Sequence, residues 1–138
     1  WRVMISKGTA YAIRHQNNGV GKYASVLMHR QVMDPSRGIM VDHRDGNGLN
    51  NQRANLRIAT YHENARNRQG YRHNKSSKFK GVSWDSARDR WAAYIRIEGK
   101  VRNLGRYLDE VKAAKKYDQV ARQYFGEFAR ENFPESEK

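Results

Sequence analysis

"VDHRDGNGLNNQRANLRIATYHENARN" runs from Val41 to Asn67, and its punctuation sets the local fold. The apolar approach "GIMVDH" reads as a buried strand ending at His43. Residues 44–55 are turn chemistry throughout, with Asp45-Gly46-Asn47-Gly48 followed by Asn50-Asn51. "LRIA" (56–59) reads as a returning strand. Thr60 with Glu63 three residues on is a capping-box signature, so a helix is expected to start there and carry Asn64 and Asn67. The expected order is strand, loop, strand, helix.

The residue types suit one chemistry. Hydrolysing a phosphodiester needs a base for water, a cation near the departing oxygen and a frame to align them. Asp42 offers a hard oxygen ligand, and Asn64 a second through its amide carbonyl. Two such ligands suit magnesium, with manganese able to take its place, and leave the other positions to water and phosphate. His43 is the natural base, because neutral imidazole is abundant near pH 7. An amide carbonyl, with Asn55 the candidate, would hold its other ring nitrogen. Asn47, Asn50 and Asn51 are read as turn residues, and His15, His62 and His73 carry no functional expectation.

Eleven residues separate His43 from Asn55, and eight separate Asn55 from Asn64. "VDHRDGNGLNN", "ANLRIAT" and "ENARN" together resemble the HNH nucleases of the phage and intron-encoded homing type. That resemblance implies a ββα-metal fold with His43 as general base, Asn55 as its orienter, and Asp42 and Asn64 as metal ligands. Asn64 stands where the name has its last His, as in one branch of that family. "LMHR" resembles the family's upstream helix, where His29 is expected to be structural. Relatives of this type begin with a further strand and short helix ahead of a Trp resembling Trp1, so the module is expected to lack its N-terminal start.

Upstream, "TAYAIRHQ" alternates around Tyr11 and Ile13, "NNG" at 17–19 signals a hairpin, and a second strand is expected from Val20. "ASVLMHRQVM" (24–33) places Val26, Leu27, Arg30 and Met33 near helical spacing and is expected to be a short helix.

Downstream, "RQGYRHNKSSK" lacks apolar periodicity and reads as a basic linker. Three strands follow in "FKGVSW", "RWAAYIRI" and "KVRNLGRY". In the second, Trp91, Ala93, Ile95 and Ile97 share one face and Arg90, Tyr94 and Arg96 the other. "DEVKAAKKYDQVARQYF" opens on Asp109 and closes before Gly126 as an amphipathic helix.

Charge points to the partner. The 138 residues hold 27 Lys+Arg against 14 Asp+Glu, a net charge of +13. Arg66–Arg106 holds 12 basic and 3 acidic residues, net +9, whereas Tyr107–Lys138 holds 6 and 7, net −1. A basic stretch concentrated in strands reads as a face for a polyanion rather than a membrane surface. No apolar run approaches the roughly 20 residues of a membrane span. The absence of cysteine excludes disulfides and thiolate zinc sites and fits a reducing, intracellular setting.

Residues 78–134 resemble the Apetala/ethylene-response-factor DNA-binding domain, carried by "FKGVSW", "RWAAYIRI", "NLGRY", "AAKKYDQVARQYFG" and "NFP". By that resemblance the sheet enters the DNA major groove, and Lys80, Ser83, Arg90, Tyr94, Arg96 and Asn103 would read it. Trp84 and Trp91 are expected in the core. Arg68, Arg72, Lys75 and Lys78 of the linker suit phosphate contacts.

The sequence therefore implies an α+β chain: a ββα-metal (HNH) nuclease module over 1–67, a basic linker over 68–77, a three-stranded antiparallel sheet packed on one C-terminal helix over 78–134, and a tail over 135–138. The expected function is site-specific, magnesium-dependent cleavage of double-stranded DNA by a phage-type homing-endonuclease-like enzyme. One site per chain implies nicking, with a second copy or event for double-strand cuts. The alternative is a sequence-specific DNA-binding regulator with an inactive nuclease module.

Overall fold

Arg2–Ser6 (β1), Thr9–Asn17 (β2) and Tyr23–Leu27 (β3) form an antiparallel sheet in the order β1-β2-β3. The structure, a computed structural model, describes residues 1–17, 19–67 and 76–134. The chain divides into two compact units, Trp1–Ala65 and Arg66–Lys138.

Two expectations need correction in the first unit. Residues 24–27 are extended rather than helical, and the helix α1 begins only at Met28, running Met28–Met33. Their local spacing fits a helix, but pairing with β2 captures them, setting Leu27 opposite the buried Ile13 and Val26 opposite Arg14. The strand expected from Val20 starts at Tyr23, because Gly19 and Gly21 both adopt positive φ and lengthen the turn. β1 was not anticipated either; it pairs along its length with β2, from Arg2↔Ile13 to Ser6↔Thr9. Asp34, left-handed at φ 45°, ends α1 and donates its N–H to the Arg30 carbonyl at 2.8 Å.

Met40–His43 (β4) and Leu56–Ala59 (β5) pair antiparallel, with His43 opposite Leu56 and Asp42 opposite Arg57. The helix α2, Tyr61–Asn67, follows. The Glu63 carboxylate accepts from the Thr60 N–H at 2.7 Å and hydroxyl at 2.8 Å, while the Glu63 N–H donates back to Thr60 Oγ1 at 3.3 Å. This reciprocal cap satisfies N–H groups that the first helical turn would leave unpaired.

The second unit contains Val82–Asp85 (β6), Arg90–Ile97 (β7) and Lys100–Tyr107 (β8), an antiparallel sheet in chain order, and the helix α3, Glu110–Phe125. Asp109 caps α3 by accepting the Lys112 N–H at 2.8 Å. Ile95, Ile97, Tyr117, Ala121 and Phe125 form one core cluster; Val82, Ala93, Ala113 and Ala114 form another. Leu104 is the extra residue of a bulge, since Ala93 pairs with Gly105 and Tyr94 with Asn103. Gly105 takes φ 117° there, a conformation side chains resist, and donates its N–H to Asn103 Oδ1 at 2.8 Å. No described helix is long and apolar enough to cross a membrane.

Candidate functional site

β4 is apolar at Val41 and polar at its end, and all three of Val41, Asp42 and His43 are buried. Burial demands partners for the last two. Arg57, opposite Asp42 in the ladder, donates from Nη2 at 2.7 Å and Nε at 2.8 Å, both to Asp42 Oδ2. Arg57 is itself buried, so this ion pair sits out of water.

His43 Nε2 lies 3.4 Å from Asn51 Oδ1. The Asn51 amide nitrogen donates to the Leu49 carbonyl at 3.0 Å, which turns its oxygen toward the ring. A proton on Nε2 directed at that oxygen puts the basic lone pair on Nδ1.

Asn55 does something else. Its carboxamide donates to Asp45 Oδ1 at 3.0 Å and to the Asn50 carbonyl at 2.8 Å, and accepts the Asp45 N–H at 3.1 Å. Asp45 also accepts the Asn47 N–H and the Asn50 amide, each at 2.8 Å. Desolvation pushes the Asp45 carboxyl up, but these hydrogen bonds and the nearby His43 outweigh it and hold the group below its usual range. Asn55 thus braces the loop rather than the imidazole, while its main-chain carbonyl accepts the Arg44 N–H at 2.8 Å beside His43.

Behind His43 stands His29 of α1, its ring centroid 5.0 Å away and edge-on. Tyr11 of β2 contacts both rings, at 5.6 Å and 6.1 Å. His29 Nδ1 is buried with no hydrogen-bond partner among the described residues. Burial, the neighbouring His43 and Arg30 lower its pKa from 6.5 to about 4, so it is neutral at pH 7. Gly48 fits this wall because it lacks a Cβ: one there would lie 2.8 Å from the Tyr11 ring and closer still to the Ala10 carbonyl.

Asn64 sits one turn into α2, its N–H donating to the Thr60 carbonyl at 3.0 Å. Its half-buried carboxamide makes no hydrogen bond to a described residue. Among the described residues no three His, Cys, Asp or Glu side chains cluster as a metal cage. The donor set is instead one carboxylate and one amide. Those are hard oxygen donors and fit magnesium.

In the second unit, Ser83, Arg90, Tyr94 and Arg96 fall on the sheet face turned away from α3, with Asn103 opposite Tyr94. The Ser83 and Tyr94 hydroxyls are hydrogen-bonded. Trp84 and Trp91 meet edge to face at 4.9 Å on the other face. Lys80 is placed differently: its Nζ donates to the Arg66 carbonyl at 2.6 Å and its N–H to Asn132 Oδ1 at 2.6 Å. Lys78 stacks over Phe79 at 5.2 Å. Arg68, Arg72 and Lys75 lie outside the described residues.

Sequence reasoning missed Arg57, Asn51 and the Asp45–Asn50–Asn55 brace. Arg57 had a usable signal. If His43 pairs with Leu56, antiparallel register puts Arg57 opposite Asp42.

A nuclease link comes from one relative. Over 96 residues the chain is 38% identical to a mimivirus protein from Acanthamoeba polyphaga mimivirus named as an uncharacterized HNH endonuclease; the match covers 68% of this chain and 47% of that protein, about half its length. Over 113 residues it is 34% identical to Protein 3.8 of Escherichia phage T7, covering 78% of this chain and 92% of that protein. The chain belongs to the family of that phage protein. No protein-family model matches it.

Proposed function

We propose that the chain is a site-specific, magnesium-dependent DNA endonuclease whose first unit is an HNH-type ββα-metal module and whose second unit reads the duplex. The observation that carries this reading is the buried end of β4, where a carboxylate and an imidazole occupy consecutive positions and Asn51 Oδ1 faces the ring. His43 accepts the proton of the attacking water. Asn51 orients the ring, and the loop braced by Asp45 and Asn55 fixes Asn51. Asp42 and Asn64 would hold the divalent cation through oxygen. When bound, that ion supplies positive charge to the 3′ oxygen as it leaves.

The second unit resembles an Apetala/ethylene-response-factor domain, and in this reading its basic sheet face enters the major groove. Arg90, Tyr94 and Arg96 address base edges together with Ser83 and Asn103. The cations Lys78, Arg68, Arg72 and Lys75 serve phosphates, while Lys80, engaged with Arg66 and Asn132, is left out of the reading set. The relative named as an HNH endonuclease supports DNA as the substrate. A second reading, a DNA-binding regulator with an inactive nuclease module, draws on the buried Arg57, which already neutralises Asp42.

Nicking of supercoiled plasmid separates the two. The expected result is magnesium-dependent conversion to open circles by wild type, with His43→Ala slower by roughly 10²–10⁴-fold and DNA binding retained. Unchanged nicking by His43→Ala, or full wild-type activity in excess chelator, would rule the mechanism out. DNA binding without nicking under any metal would establish the regulator.

A further inference from the structure

One arginine on the sheet face of the second unit belongs to none of the groups above. Arg106, on β8, donates from Nε to Asp85 Oδ2 at 2.8 Å, although Asp85 lies on β6, at the opposite edge of the sheet. The register explains how they meet. Arg106 is opposite Ala92 and Asp85 is opposite Arg90, so the pair spans the central strand β7 diagonally. Ala92 makes this possible: it lies on the same face, carries only a methyl group and is 1% exposed beneath its neighbours. Arg88 adds a second contact to Asp85 Oδ2, at 3.2 Å. The Arg106 hydrogen bond is the largest influence on Asp85, and it holds the carboxyl below its usual range, so the carboxylate stays ionised.

Stability is a weak account of this arrangement. Arg106 and Arg88 side chains are 38% and 60% exposed, and ion pairs so open to water contribute little to folding. Holding Arg106 by Nε has another consequence. The guanidinium plane is fixed, while Nη1 and Nη2 make no hydrogen bond to a described residue. Two parallel N–H donors in a fixed plane match guanine O6 and N7, and fixing them beforehand removes the ordering cost of binding.

We propose that Arg106, oriented by Asp85 across Ala92, is a specificity-determining residue that reads a guanine in the major groove. This rests on the sheet of the second unit being the surface that faces DNA. Asp85 is the positioning residue. Its negative charge beside the groove repels phosphate and so disfavours binding without readout.

Binding-site selection from random duplex, in chelator to prevent cutting, tests the idea on the full chain. Wild type is compared with Arg106→Ala, Arg106→Lys, Asp85→Asn and Arg96→Ala. Arg106→Ala is expected to lose preference at one G·C pair and to bind the wild-type site roughly 5- to 100-fold more weakly. Arg106→Lys keeps the charge without the fork and is expected to lose the same preference. Asp85→Asn, nearly isosteric, is expected to blur that position while binding random duplex as tightly as wild type or more tightly. A purely structural pair would lower the melting temperature and leave the consensus unchanged. If Arg96→Ala alters the consensus and both Arg106 variants leave it intact, Arg106 is not a reader although the sheet is. If wild type selects no consensus, or no variant changes it, both the sheet reading and this proposal fall.

Discussion

Arg57 stands across the β4–β5 ladder from Asp42 and places Nε and Nη2 on the same carboxylate oxygen, at 2.8 Å and 2.7 Å, with both side chains buried. A cation is therefore already beside the residue proposed to ligate one. Removing a single member of a buried pair strands the other charge, which typically costs about 3–5 kcal/mol. Arg57→Leu is expected to destabilise by that order in urea denaturation, and adding Asp42→Asn should recover part of the loss. Magnesium should then raise the melting temperature of Arg57→Leu more than that of wild type, because the stranded carboxylate gains a partner. No magnesium response in Arg57→Leu would count against Asp42 as a ligand.

Asn51 and Asn55 should fail in different ways. Asn51 faces the imidazole at 3.4 Å, and its one other side-chain bond is local, to Leu49. Asn51→Ala is expected to slow nicking by about tenfold or more with little change in melting temperature. Asn55 makes three side-chain bonds that hold Asp45 and Asn50. Asn55→Ala is expected to cost roughly 1–3 kcal/mol of stability. The reverse pattern, a stable but inactive Asn55→Ala beside an active Asn51→Ala, would return the orienting role to Asn55.

That division marks where legibility ended. The Thr60–Glu63 cap was readable because both partners lie within one turn, so spacing alone determines the contact. The β4–loop–β5–α2 order was readable for the same reason, from apolar runs separated by turn residues. β3 was not, since residues 24–27 owe their extended form to pairing with β2, across the turn, from Gln16↔Ala24 to Ile13↔Leu27. Among Asn47, Asn50, Asn51 and Asn55, spacing could not say which amide would meet His43. The answer depends on how the loop closes, through Asp45 at its centre. Lys80 was placed by resemblance on the reading face, while its ammonium meets the Arg66 carbonyl.

Acid should weaken the first unit in two stages. His29 is held neutral down to about pH 4 in the folded chain, against an ordinary value of 6.5. Between those values the unfolded chain binds more protons, so stability falls as pH falls through this window and is fully present above it. A shift of this size corresponds to at most roughly 3 kcal/mol. Asp45, with its pKa lowered from 3.8, adds a loss below that value as its carboxylate is protonated. His29→Phe, which keeps an aromatic edge near Tyr11 and His43, should flatten the slope from 6.5 to 4 in chelator and leave the lower stage. An unchanged slope in His29→Phe would assign the transition to another group.

Asn132 offers a sharper test of the second unit, because a near-isosteric change should be worse than truncation. Asp118 of α3, buried, accepts the Asn132 N–H at 2.8 Å, the Asn132 amide at 3.0 Å and the Phe133 N–H at 2.8 Å. The same Asn132 carboxamide accepts the Lys80 N–H at 2.6 Å and donates to the Lys80 carbonyl at 3.1 Å. It therefore ties the C-terminal segment both to α3 and to the approach to β6. Asn132→Ala loses the side-chain bonds and should cost about 1–3 kcal/mol. Asn132→Asp keeps an acceptor for Lys80 but sets a second carboxylate against Asp118, where like charges repel. At pH 7 its loss should equal or exceed that of alanine, and acidification that protonates the new carboxyl should narrow the gap between Asn132→Asp and Asn132→Ala. Urea denaturation of both variants at two pH values decides the matter. A wild-type midpoint for Asn132→Asp at pH 7 would mean that the Asp118–Asn132 contact does not hold this segment in solution.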